Sequence, residues 1–419
     1  MVSSLFVHSL GTPTAAGSGS GGGMSRLARG LRAAARPWLA RGHAALVHPT
    51  AHVSPLSDVH PTARVGAFAI VDAGARVGAG AVVGPGAHLL GDVRVGSRCV
   101  IRSHAVLGAS PPSSPASPPP PTEIGDDAVI MEGASIARGC VVGRGAIVHP
   151  NAVIRAGTRV EAGADVGACA VLGAQRPDVA ATPASSPPPR RDPALPLVLV
   201  GANALVGDAS ALAHCDVGEG CALSPGAVIG ADGFGVFIDP RTGETRRHPQ
   251  LRRVRVGAFA DIGANATVDR GSRRDTRVGR GAKLDNLVHV GHNACVGERS
   301  VVCGQAGVGG SAEVGAGCVL GGQSAVGDHA VVPARSRVAA KAGVVGDLGA
   351  SFGDAEGGGE GRDYAGYPAG PAWRWKRDVA ARRMRWRRAR REDDERNAER
   401  SAERSAPKGR SAERSAERS

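Results

Sequence analysis

The chain has 419 residues, with 51 Lys and Arg against 38 Asp and Glu; glycine supplies 62 positions and aromatic residues only 3%. That composition excludes a core built on aromatic side chains, whereas stacked coils need only small aliphatics with glycine at their corners. No apolar run reaches the roughly eighteen residues of a transmembrane helix, and none of the eight cysteines forms a C-x-x-C pair or a zinc-ligand spacing, so neither a metal centre nor an oxidising compartment is indicated.

The formal charge of +13 is uneven. No acidic residue occurs from Met1 to Ser57, while Arg26, Arg29, Arg32, Arg36 and Arg41 punctuate an Ala/Leu-rich stretch. Residues 1–45 therefore read as a disordered organellar presequence, with a mitochondrial destination expected and the chloroplast as the alternative.

From Val47 onward an aliphatic residue recurs at every sixth position, a period that belongs neither to an ordinary strand nor to a helix. It is the spacing of hexapeptide repeats, which predicts an all-β fold, a left-handed parallel β-helix over 46–346. The first block runs from Val47 to Leu107 and the second from Ile124 to Leu172. Pro-rich stretches at 110–122 and 175–196 are expected to leave the coils as surface loops, since proline cannot donate to a ladder. After Val200, Val206 and Leu212 the pattern slips by one residue and resumes at Val217, Leu223 and Ile229.

A third interruption, 230–255, differs in kind. It contains Asp232-Gly233-Phe234-Gly235 and closes on His248-Pro249-Gln250, so an ordered active-site loop is predicted there. Val256, Ile262 and Val268 follow, then a four-residue insertion, then an unbroken run from Val278 to Val344. The hexads number 41, or about fourteen coils, a prism on the order of 65 Å long. Residues 347–419 are predicted as a linker, a basic helix from Trp373 to about Glu392, and a disordered tail of Ala-Glu-Arg-Ser repeats.

Three hexads make a coil, so residues eighteen apart stack. Val290, Val308 and Val326 share a column that brings His292, Gly310 and, one place later, His329 to one edge. A histidine base and a backbone N–H for an oxyanion are the parts of an acyl-transfer site. Asp285 and Asn286, one hexad earlier, could orient His292. Such an edge becomes a cleft when another subunit packs beside it, so a cyclic trimer is expected. His43, His48, His52, His60, His88 and His104 read as solvated surface residues.

Asp232-Gly233-Phe234-Gly235, Pro249-Gln250, Ile262 to Gly271, Asp275-Thr276, Lys283 to Leu287 and Gly291-His292-Asn293 occur in order. Together they resemble the UDP-3-O-acylglucosamine N-acyltransferases of lipid A biosynthesis, densely from about Val228 to Val345 and more loosely through Tyr364-Ala365-Gly366 and Trp373-Arg374. The resemblance implies that His292 is the general base, Gly310 N–H the oxyanion donor, and Asp232, Phe234, Asp285, Asn286 and His329 substrate-binding residues. It also implies a UDP-acylglucosamine acceptor and a 3-hydroxyacyl donor carried on the pantetheine of acyl carrier protein, with no other cofactor and no metal. The ten Lys and Arg of 374–391 suit that acidic carrier better than a nucleic acid. Because hexads begin at Val47, no counterpart of the family's N-terminal uridine-gripping domain is expected. Two alternatives stay open: a β-helix that has lost catalysis, and a γ-class carbonic-anhydrase-like trimer, against which Ala334 stands where a zinc-binding histidine is needed.

Overall fold

The computed structural model describes residues 46–109, 120–173, 197–349 and 361–405. The presequence reading and most of both Pro-rich loops lie outside the described residues, although Thr122 already belongs to the strand Thr122–Ile124.

The chain winds as a left-handed parallel β-helix. Its three faces are sheets of 16, 14 and 13 strands, and the last two strands of the first sheet belong to the exit from the coils. Most strands are two residues long, one side chain inward and one outward. Register follows the hexads: Val290 pairs with Val308 and Val308 with Val326. Where the sequence is interrupted the ladder closes across the gap, Val100 opposite Val129 and Val160 opposite Val200. The one-residue slip is absorbed in a short coil that sets Val200 against Val217.

Each coil buries its inward aliphatic together with the small residue four places on, as with Val290 and Ala294 or Val308 and Ala312. Cys99, Cys140, Cys221 and Cys318 occupy this small position. All described cysteines are free thiols, and burial pushes those of Cys99 and Cys140 up to about 11, so they pack as small apolar groups. Between aliphatic and alanine the chain turns through a left-handed residue at the third place, for example Asn265, Asn293 and His329 with φ of 54°, 61° and 57°. Asparagine tolerates that conformation better than most residues.

Asp363–Ala365 joins the ladder parallel to Arg337–Val338, and the buried ring of Tyr364 lies over the last coil. Gly370–Pro371 turns back antiparallel, and the helix Ala372–Ser405 leaves the prism. The helix continues past Glu392, the end expected from sequence, into the first Ala-Glu-Arg-Ser repeats. Alanine, glutamate and arginine are strong helix formers, and Arg388 with Glu392 and Arg396 with Asp393 add pairs one turn apart.

Candidate active site

Two departures from the hexad rhythm build the site, and both converge on His292. The first is at Gly230, where the strand Val228–Asp232 bulges. The chain then runs out into a hairpin, Val236–Ile238 antiparallel to Thr245–Arg247. The hairpin folds back over the coils. A methyl group added at Gly233 would lie 2.4 Å from His292 Cβ, so only glycine lets the backbone pass there. Asp232 accepts a 2.6 Å bond from Nε of the nearly buried Arg270, and the Phe237 ring packs 4.6 Å from that of His248.

The second departure is the four-residue insertion. Its turn is pinned by Asn293, whose Oδ1 accepts the backbone N–H groups of Ser272, Arg273 and Arg274 at 2.9, 3.0 and 3.2 Å. Asn293 Nδ2 points the other way, donating to Ser272 Oγ at 3.1 Å and to His292 Nδ1 at 2.9 Å.

Between hairpin and insertion lies a pocket of about 610 Å³, lined among others by Phe234, His248, Asp269, His289, His292 and His329. Gly310 forms its wall one coil beyond His292. A Cβ at Gly310 would stand 2.8 Å from His292 Cε1 and 2.9 Å from Nε2, so the imidazole lies against bare backbone. The carbonyl of Gly310 accepts from His329 N at 3.0 Å. Gly310 has no side chain to cover its backbone beside the ring. His329 is exposed on the adjoining corner, its Nε2 3.6 Å from Asp328 Oδ2.

The expected site residues do not all meet at this pocket. Asp285 and Asn286 stand at the preceding corner, on another edge of the prism. Asp285 accepts from the N–H groups of Asn286 at 2.7 Å and Gly304 at 2.9 Å, and Asn286 Oδ1 from Ala264 N at 2.7 Å. Both tie turns together and neither orients His292, because one hexad is a rotation of about a third of a coil. Asn293 orients it instead. Asp232 is held by Arg270 and does not line the pocket. Phe234 does, largely exposed, with Arg247 6.0 Å over its ring.

Asp269 and His289 were missed. Asp269 continues the strand Thr267–Arg270 opposite the bulge at Gly230, and its Oδ2 lies 3.9 Å from His289 Nε2. Burial pushes the Asp269 carboxyl up to about 6 from 3.8; His289 opposes the rise and Asp232 adds to it. Such a raised carboxyl contributes stability that is present below pH 3.8 and lost as pH rises through about 6. Asp269→Asn is therefore expected to raise the melting temperature at neutral pH and to change it little below pH 3.8, which melting curves at the two pH values would show. Among the described residues, no group of three or more His, Cys, Asp or Glu is placed to hold a metal ion.

The family model for bacterial transferase hexapeptide (six repeats) matches residues 74–109 and 121–156. A probable mitochondrial UDP-3-O-acylglucosamine N-acyltransferase 2 of Arabidopsis thaliana is 41% identical over 24% of this chain and 33% of its own length. The UDP-3-O-acylglucosamine N-acyltransferase of Coxiella burnetii is 48% identical over 23% of this chain and 28% of its own length. The chain thus spans about a third of the curated relatives it matches. The crystal structure of Arabidopsis UDP-N-acetylglucosamine acyltransferase is loosely similar, with 13% identity, a TM-score of 0.33 and coverage of 77% of this chain and 71% of that one. The chain carries the hexapeptide repeats of bacterial transferases over residues 74–109 and 121–156, and over about a quarter of its length it is similar to UDP-3-O-acylglucosamine N-acyltransferases.

Proposed function

We propose that this protein is an N-acyltransferase that moves a 3-hydroxyacyl chain from acyl carrier protein to the 2-amine of UDP-3-O-acylglucosamine, as in lipid A biosynthesis. The observation that carries the reading is the His292 imidazole lying against the side-chain-free backbone of Gly310 inside the pocket. In the reaction the amine nitrogen bonds to the thioester carbonyl carbon and the C–S bond breaks. His292 takes the proton that the amine loses, and the departing pantetheine sulfur receives it. The Gly310 N–H donates to the oxygen that gains charge in the tetrahedral intermediate. His329, at the pocket mouth, is suited to binding substrate or the pantetheine arm.

The helix Ala372–Ser405 carries the basic stretch 374–391 and would steer an acidic carrier protein toward the site. Two further copies packed along the prism, in a cyclic trimer, would close the open side of the pocket. The mitochondrial label of the Arabidopsis relative and the acid-free 1–57 stretch favour a mitochondrial setting.

The test incubates purified protein with a 3-hydroxyacyl carrier protein and UDP-3-O-acylglucosamine, and follows the N-acylated product by mass spectrometry. Product formation is expected, with a KM for the carrier that rises as salt screens the helix. No transfer to this acceptor would sink the reading and leave a β-helix that has lost catalysis.

A further inference from the structure

His292 cannot choose freely which of its nitrogens carries the proton. Asn293 Oδ1 is engaged by three backbone N–H groups, which fixes the sense of its amide; turning it over would set an NH2 against three donors. Its Nδ2 is therefore a donor, one hydrogen toward Ser272 Oγ and the other toward His292 Nδ1. A nitrogen that accepts has no proton of its own. We infer that Asn293 is a positioning residue that holds the neutral His292 ring with Nδ1 bare and its proton on Nε2.

Nε2 is the atom that meets the pocket. It lies 2.9 Å from where a Gly310 Cβ would stand and 3.7 Å from where a Gly235 Cβ would stand. The resting ring thus presents a hydrogen-bond donor to the pocket beside the Gly310 backbone, and a carbonyl oxygen is the chemistry that such a donor recognises. To take a proton at Nε2, the ring must first carry its own proton on Nδ1, and Asn293 Nδ2 must give up its bond. Asn293 accordingly holds the ring in its carbonyl-binding form until the base is needed. This last consequence rests on the proposed acyl transfer; the tautomer itself does not.

Asn293→Asp tests the assignment with little change of shape. One carboxylate oxygen keeps the three backbone bonds, aspartate tolerates the φ of 61°, and the other oxygen replaces a donor with an acceptor. In full-length protein labelled with 15N-histidine, the His292 ring signals are identified by their absence in His292→Ala. In the spectrum of the neutral ring, the wild-type protein is expected to show a protonated Nε2 and a bare Nδ1. Asn293→Asp is expected to exchange the two. A wild-type ring protonated on Nδ1 overturns the inference without any variant, and so does an Asn293→Asp protein, folded by circular dichroism, whose ring pattern is unchanged. Failure of the acyl-transfer assay alone would remove the proposed reaction and leave the tautomer standing.

Discussion

His292→Ala is expected to slow acyl transfer about 10²–10⁴-fold, the usual worth of a positioned acid–base group, with the melting temperature nearly unchanged. The ring sits on a turn outside the coil, and the apolar ladder beneath it, Val290 on Val308, does not depend on it. The loss should fall mainly on kcat, because Phe234, Asp269 and His329 still line the pocket. Single-turnover measurement with pre-bound carrier separates the two effects. A variant retaining more than about a tenth of wild-type turnover would show that the ring does not move the proton.

Gly230→Ala should produce the largest structural effect of any single methyl group near the site. Gly230 has a φ of 86°, and its Cβ would fall 1.6 Å from the carbonyl oxygen of Ala213 in the coil below. Relieving that overlap means displacing the backbone at the bulge where the hairpin begins. Left-handed strain and the forced shift together are expected to cost about 2–4 kcal/mol. The cost is local, because coils contact only their neighbours. Hydrogen exchange should therefore rise in Val236–Ile238 and Thr245–Arg247 while distant coils stay protected. Since Gly233 and Gly235 of the same hairpin lie over His292, transfer activity should fall with it.

The coils were legible in the sequence because a period of six is a property of every residue in turn. Val278 to Val344 announces its own register, and the stacking of His292 under Gly310 follows by counting eighteen. Counting fails where the count changes. Asp285 and Asn286 precede His292 by one hexad and look adjacent on paper, yet they face another edge and tie turns together. Asp269 and Asn293 acquire their settings from the bulge at Gly230 and from the insertion at Gly271 to Arg274, whose path no periodicity encodes. The Gly-His-Asn motif did contain the signal for Asn293: an asparagine at a left-handed corner has a short amide that can reach back to its neighbours.

The end of the prism nearer His292 is sealed: Tyr364 and the strand Asp363–Ala365 cover the final coil. A stack of nearest-neighbour units melts like a zipper, from whichever end is easier to open. Fraying that enters through this end must first lift the Tyr364 strand, which stands between it and the coils that carry His292.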